Sequence, residues 1–480
     1  MNSRQNHRSK IAAMLFVLVM AATASIATAA IEGNWMGKLK LPTGELRIVF
    51  HIARGADSAL KATLDSPDQG ATGIPVDEVT WVNSHLHLGL KVIGGAFEGD
   101  QKPGTDSIEG KWTQGGLSLP LVVVPTDSVP SLARPQEPKP PFPYNAEEVS
   151  YTNSKDSVTL AATLTLPAGD GKVPAVVLIT GSGTQDRDET VFGHRPFLIL
   201  SDYLTRLGIA VLRADDRGFG KSTAGRGAAT SENFARDVLA GVAYLKTRKE
   251  IDSKRIGLIG HSEGGIIAPM AAAQSKDVAF VVMMAGTGVT GEEILYRQAE
   301  LISRASGAGD SAVAAERKQQ EAMFGILKTE TDSLRAKAKL RDILTAAMAD
   351  SARSAGVDSS AIAKAIDMQI QQVTSPWFRY FLTYDPRSAL KKVKCPVLAI
   401  SGEKDLQVPP DLNIPAIESA LKAGGNKHRA FEILPGLNHL FQTATTGSPE
   451  EYAKIEETMS PVALKTIGDW ILDVTGLKDK

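Results

Sequence analysis

Gly260-His261-Ser262-Glu263-Gly264 is a G-x-S-x-G box, and its flanks decide how the rest of the chain reads. Before it, Arg255-Ile256-Gly257-Leu258-Ile259 is a short apolar run of strand type; after it, Gly265-Ile266-Ile267-Ala268 opens a helix of small residues. A serine between such a strand and such a helix occupies a sharp, strained turn that lifts its hydroxyl above the sheet. Bulky neighbours do not fit so tight a turn, which accounts for the glycines. The next backbone N–H, that of Glu263, points toward the space where an oxyanion would form. The pentapeptide alone is common by chance, and it is the strand before and the helix after that make Ser262 a candidate nucleophile.

A serine hydroxyl is a weak nucleophile at neutral pH and needs a base, which in turn needs an orienting carboxylate. Both partners follow Ser262, each just past an apolar run. Ser401-Gly402-Glu403-Lys404-Asp405-Leu406-Gln407-Val408-Pro409 follows the run that starts at Val397. Asp405 is the candidate acid, favoured by its Asp-x-x-Val-Pro continuation, and Glu403 is its rival in the same loop. Leu434-Pro435-Gly436-Leu437-Asn438-His439 follows the last run and supplies His439 as candidate base. The second oxyanion donor is expected in Thr180-Gly181-Ser182-Gly183-Thr184-Gln185, with Ser182 N–H first and Gly183 as its neighbour in contention. That glycine-rich loop lacks the G-x-x-x-x-G-K pattern of a phosphate cradle.

The remaining histidines compete poorly. His261 sits inside the box and is expected to point away from the serine, His194 reads as structural, and His428 precedes the last strand in a charged turn. His85 and His87 share a strand face without an evident Cys or carboxylate partner, so packing is preferred to metal binding. Asp215-Asp216-Arg217-Gly218-Phe219-Gly220 reads as a turn braced by a carboxylate–guanidinium contact, since structural ion pairs are common. Pro376-Trp377-Phe378-Arg379-Tyr380-Phe381 is an aromatic cluster; Trp377, Phe378 and Phe381 are candidate pocket residues, with plain core packing the alternative.

Outward from these motifs the chain divides by pattern. Residues 1–29 read as a signal peptide: Arg4, Arg8 and Lys10, then a short apolar core, then Ala27-Thr28-Ala29 as a cleavage site. That implies export to the periplasm or beyond, with no stable membrane anchor. Residues 30–125 alternate apolar and polar positions, as in Leu46, Ile48, Phe50 and Ile52, and predict a small antiparallel sandwich or barrel with Trp35, Trp81 and Trp112 in its core. Residues 126–146 are a proline-rich linker. From 147 to 480, strands alternate with helices, which predicts an α/β domain with a mostly parallel sheet. Its strand candidates are Val158–Leu166, Val173–Ile179, Ile209–Arg213, Arg255–Ile259, Phe280–Ala285, Val397–Ser401 and Ala430–Leu434. About 289–388 no strand is legible, and a helical cap over the strands' C-terminal edge is expected there. A net charge of −1 over 480 residues argues against a nucleic-acid partner. The single cysteine, Cys395, cannot form an internal disulfide and reads as a small buried residue.

With Ser262, Asp405 and His439 in that order, the chain resembles the α/β-hydrolase superfamily. It is more narrowly similar to exported bacterial carboxylesterases with an N-terminal β domain. The narrower likeness rests on Gly181-Ser182-Gly183-Thr184-Gln185-Asp186-Arg187-Asp188-Glu189, Asp216-Arg217-Gly218-Phe219-Gly220-Lys221-Ser222, Gly260-His261-Ser262-Glu263-Gly264-Gly265 and Asn438-His439-Leu440-Phe441. It covers roughly residues 147–480, the cap only loosely. Many relatives open the oxyanion loop with His-Gly, where this chain has Thr180-Gly181. The resemblance implies an α/β-hydrolase fold and hydrolysis of short-chain acyl esters of small molecules by an acyl-enzyme route, with no metal or organic cofactor. Serine aminopeptidases, amidases and thioesterases share the scaffold, and Glu292, Glu293 or Glu300 would be available to hold a free amine. An exported ligand-binding protein with an idle triad is the rival of another class.

Overall fold

The computed structural model describes residues 31–477 apart from 42–43, 56, 70, 116, 130–132 and 356–358. The signal-peptide reading of 1–29 lies outside them. Two sheets organise the chain. The first is antiparallel throughout and comprises β1 (Gly33–Leu41), β2 (Gly44–Arg54), β3 (Leu60–Ser66), β4 (Ala71–Val76), β5 (Glu78–Val82), β6 (His85–Leu90), β7 (Gly95–Gln101), β8 (Ile108–Gln114) and β9 (Leu117–Pro125). Its order is β4-β3-β2-β1-β9-β8-β7-β6-β5. The sheet curls until its end strands approach, with β4 against β6 and β3 against β5. The alternation in β2 is the cause: Ile48, Phe50 and Ile52 turn to one interior, where Phe50 lies 5.6 Å from Phe97 between ring centroids. Trp35 and Trp112 are buried in that core, but Trp81, expected beside them, is only half-buried.

The second sheet comprises β10 (Asn145–Asn153), β11 (Val158–Leu166), β12 (Val173–Ile179), β13 (Ala210–Ala214), β14 (Ile251–His261), β15 (Phe280–Met284), β16 (Val397–Gly402) and β17 (Arg429–Leu434). Its order is β10-β11-β13-β12-β14-β15-β16-β17, antiparallel across β10, β11 and β13 and parallel from there on. β10 is legible only weakly in the sequence, because its exposed residues are polar and only Tyr151 and Asn153 are buried. β12 explains the continuous apolar runs: Ala175, Val177 and Ile179 face one core, and Val176 and Leu178 face another. The first core is closed by α2 (Ser231–Thr247), α3 (Gly264–Ala272) and α10 (Pro410–Ala423), and the second by α1 (Pro196–Arg206) and α11 (Pro461–Val474). The chain departs in opposite directions from β12, to β13 on one side and β14 on the other. The loops after β12 and β14 therefore flank a crevice at the strands' C-terminal ends, where open α/β sheets place their ligands.

Between β15 and β16 run α4 (Gly291–Ala305), α5 (Asp310–Thr329), α6 (Ser333–Ala355), α7 (Ser359–Val373), α8 (Pro376–Thr383) and α9 (Arg387–Leu390). A capping box starts α4, with Glu293 N–H donating to Thr290 Oγ1 at 3.2 Å and Thr290 N–H to Glu293 Oε2 at 2.8 Å. Ser375 caps α8 ahead of Pro376. These helices have an apolar core of their own around Phe324, Leu340, Ile366 and Leu382. Cys395 is half-buried against the main core, and burial pushes its thiol up to about 11.

The proline-rich segment is not a free tether. Arg134 donates to the carbonyls of Gly193, Phe192, Ile455 and Ala453 at 2.9–3.3 Å, and Gln136 bonds the backbone of Thr458 and Met459.

Gly257 in β14 is tightly confined, since a Cβ there would lie 2.1 Å from the Phe280 ring. Gly257→Ala should therefore cost about 1–3 kcal/mol of stability. Combined with Phe280→Leu it should cost less than the sum of the two single changes. Urea denaturation of the three variants checks this; strict additivity would mean that the crowding is not what constrains the site.

Candidate active site

The elbow is built by close backbone approach. β14 ends at His261, Ser262 holds a positive φ of 54°, and α3 starts at Gly264. A Cβ on Gly260 would stand 1.9 Å from the Gly264 carbonyl oxygen, and one on Gly264 would stand 2.2 Å from that of Ile179. Glycine is required at both positions for steric reasons. Ser262 N–H donates to Met284 O at 2.9 Å, and Ser262 O accepts from Gly265 N–H at 2.9 Å, which pins a non-glycine residue in the left-handed region. Glu263 N–H sits at the start of α3, where backbone donors and the helix dipole favour negative charge.

Asp405 and His439 meet across two loops. His439 Nδ1 donates to Asp405 Oδ2 at 2.8 Å, and both residues are buried. Asp405 Oδ1 accepts from the N–H groups of Gln407 and Val408, each at 2.8 Å, so three donors balance the buried carboxylate. The rival Glu403 instead accepts from Gly436 N–H at 2.9 Å and does not reach the imidazole. Asn438, fully buried, accepts from the N–H groups of Leu440 and Gln442 and so shapes the turn that carries His439.

Ser262 and His439 line one cavity of about 350 Å³ together with Ser182, Trp377, Phe378 and Phe381. The sequence candidates from four separate segments thus converge on it. Trp377 and Phe381 stack at 5.5 Å between centroids. Glu292, Glu293 and Glu300 do not join them: Glu292 pairs with Lys328, Glu293 caps α4 and meets Arg387, and Glu300 pairs with Arg297 and Arg304.

Several expectations are corrected here. His261 does not turn away from the site: it lines the cavity, and its ring lies 4.9 Å from that of His439. The turn at Asp215–Gly220 is braced by carboxylate–guanidinium contacts as expected, but with partners outside it. Asp215 pairs with Arg187, and Arg217 with Asp237 and Asp156, all distant in sequence. His85 and His87 do have carboxylate partners, Asp100 and Glu98 on the neighbouring strand, because cross-strand pairing brings them face to face. Among the described residues no cluster of three or more His, Cys, Asp or Glu is set to hold a metal. His194 is buried between Thr458 and the Tyr452 carbonyl, and burial pushes its imidazole down to about 4.

Three carboxylates hold the site together in ways the sequence reading did not assign: Asp216 was read only as part of a braced turn, Glu263 only for its N–H, and Glu189 only within a motif. Glu263 Oε1 accepts from Ser231 Oγ at 2.6 Å and Trp377 Nε1 at 2.9 Å, tying α2 and α8 to the elbow, and its burial raises its carboxyl above the usual range. Glu189 accepts from Gly181 N–H at 2.7 Å. Asp216 accepts from Thr180 Oγ1 and from Gln185 N–H, and so holds both ends of the loop that carries Ser182. The available signal was an acidic residue within two positions of a glycine for Glu263 and Asp216; Glu189, six residues past Gly183, carried no such local signal.

The residues from 156 to 420, more than half of the chain, match the family described as X-Pro dipeptidyl-peptidase (S15 family). The chain belongs to that family. Its sheet order and elbow place it in the α/β-hydrolase superfamily of enzymes. Esterase EstD of Thermotoga maritima is 27% identical over 297 residues, which are 62% of this chain and 61% of that protein. The match thus spans less than two thirds of EstD. An uncharacterised 31.7 kDa protein from the traX-finO intergenic region of Escherichia coli is 26% identical over 272 residues, 55% of this chain and 83% of that one. Among solved structures, Pyrococcus furiosus esterase Pf2001 aligns at 16% identity over 69% of this chain and 92% of its own, with a TM-score of 0.40. Est1E from Butyrivibrio proteoclasticus aligns at 19% identity over 68% and 99%, also with a TM-score of 0.40.

Burial, with Glu189 and Glu263 nearby, pushes the Asp216 carboxyl up to about 7. The folded chain then keeps a proton that the unfolded chain loses near pH 4, so this group's contribution to stability falls as pH rises from about 4 to 7. Asp216→Asn does not titrate. Its stability relative to wild type should therefore improve between pH 5 and pH 8, as read by chemical denaturation of both proteins at each pH. A difference that stays constant would contradict the raised value.

Proposed function

We propose that this chain is a serine hydrolase of carboxylic esters, with Ser262 as nucleophile, His439 as general base and then general acid, and Asp405 as the orienting carboxylate. The observation that carries the reading is the buried His439–Asp405 hydrogen bond of 2.8 Å opening onto the same cavity as a serine strained at φ 54°. Asp405 occupies Nδ1, which leaves Nε2 to take the serine proton. Ser262 Oγ then attacks the ester carbonyl, and the oxyanion lies against the N–H groups of Glu263 and Ser182. Neither of these N–H groups is used by a protein acceptor among the described residues. His439 protonates the departing alcohol, and water repeats the sequence to release the acid and regenerate Ser262.

The helices between β15 and β16 act as a cap in this reading. They supply Trp377, Phe378 and Phe381, an apolar wall suited to a short acyl chain. Export through residues 1–29 is part of the same proposal, as is the treatment of 30–125 as a separate β domain.

A peptidase reading has its own support. The matching family is named for a dipeptidyl-peptidase, and two buried carboxylates, Glu189 and Glu263, line the cavity. Nitrophenyl esters from acetyl to palmitoyl, tested beside aminoacyl and X-Pro nitroanilides, decide between the two. Ester turnover should dominate and peak at short chains, whereas dominant anilide turnover would replace the ester reading. Ser262→Ala should lower kcat by several orders of magnitude. Asp405→Asn should cost far more activity than Glu403→Gln, and the reverse order would make Glu403 the orienting acid.

A further inference from the structure

We propose that Glu189 and His261 form a positioning pair that holds the oxyanion loop and the His439 loop in register with Ser262; the inference rests on the ester-hydrolase reading above. Glu189 Oε1 accepts from Gly181 N–H at 2.7 Å and lies 2.9 Å from His261 Nδ1. His261 Nε2 lies 3.0 Å from the carbonyl oxygen of His439. One short path of hydrogen bonds thus touches the residue before Ser182, the residue before Ser262, and the general base itself.

The hydrogen-bond inventory fixes the direction of each bond. The His439 carbonyl only accepts, so His261 Nε2 carries a hydrogen. Glu189 Oε1 faces Nδ1, and with Glu189 as a carboxylate the form that satisfies both contacts is the doubly protonated, positively charged ring. Burial opposes that charge, but the Glu189 carboxylate beside it, with a smaller contribution from Asp405, outweighs burial and raises the His261 pKa. Both side chains are almost fully buried, and Glu189 Oε2 has no hydrogen-bond partner among the described residues. Each charge therefore depends on the other for compensation, and removing one strands its partner in a dry site. Glu189 also holds a positive φ of 54°, a strained conformation that persists where surrounding contacts enforce it.

Neither residue contacts the reacting atoms in the proposed mechanism. Both act through position: oxyanion donors and bases lose rate steeply when displaced by a fraction of an ångström. The Glu189–His261 contact crosses the crevice between the β12 and β14 loops, and the His261–His439 contact reaches the loop after β17. These are the three segments whose relative placement sets the geometry.

The test measures nitrophenyl-ester kinetics on the full chain for Glu189→Ala, His261→Ala, their double variant, Glu189→Gln, His261→Gln and Ser262→Ala. Saturating fluorophosphonate labelling counts the competent sites in each preparation. Each alanine variant should lower kcat per labelled site about 10²-fold, with KM within about threefold of wild type. The double variant should be no more than a few-fold worse than the poorer single, because the two residues act as a unit. His261→Gln, whose amide can reach the His439 carbonyl, should recover about tenfold of the His261→Ala loss. Glu189→Gln, which keeps the shape but removes the charge that compensates His261, should lower Tm and lose about tenfold in kcat per labelled site. Values of kcat per labelled site within twofold of wild type for both alanine variants, with Ser262→Ala inactive, would overturn the pair and leave the ester-hydrolase reading intact. Losses explained wholly by fewer labelled sites would overturn it as well. Activity surviving Ser262→Ala would remove the underlying reading, and the pair with it.

Discussion

The closeness of two backbone strands at the elbow is the constraint on which the site depends. Gly264 lies so near the Ile179 carbonyl that no side chain fits between them, and Gly260 is as close to Gly264. That approach bends the chain out of β14 into α3 within three residues and leaves Ser262 in a conformation that non-glycine residues rarely adopt. The same contact brings the loop after β12 alongside the elbow. The two loops lie side by side because the strands that carry them are hydrogen-bonded neighbours.

Around that crossing, buried carboxylates serve as attachment points for backbone. Asp405 gathers two N–H groups and an imidazole, Asp216 gathers the two ends of the β12 loop, and Glu189 gathers Gly181. Loops cannot be held by apolar packing alone, since their unpaired N–H groups need acceptors. An anionic acceptor makes the stronger bond and, once buried, permits few alternative arrangements. Glu263 does the same between elements, linking the elbow to α2 and to the aromatic helix α8.

Much of this was legible in sequence where the signal was local. The strand–glycine–serine–helix run located Ser262, continuous apolar runs located β11 to β17, and Asp405 could be preferred over Glu403 from its Val-Pro continuation. The parts that were missed depend on distant partners. Asp215 and Arg217 stand two residues apart in one turn yet pair with Arg187, Asp237 and Asp156, because the loop after β12, α2 and the turn between β10 and β11 come together there. His85 and His87 seemed unaccompanied because their carboxylates lie on the next strand, and cross-strand register is not written in either strand alone. The inward turn of His261 was hidden for the same reason: its partners, Glu189 and the His439 carbonyl, lie 72 and 178 residues away.

Arg134 gives the proline-rich segment a role that its composition does not suggest. Its guanidinium is shared among four carbonyls on the two segments that carry Phe192 and Tyr452, and those two rings meet edge to face and both line the cavity. The segment is therefore a staple between two parts of the cavity wall, and the boundary drawn by composition differs from the boundary drawn by mechanics. A chain trimmed to begin at the first strand of the second sheet would keep the entire sheet and every candidate catalytic residue. It would nonetheless lose the clasp that ties these two parts of the cavity wall together.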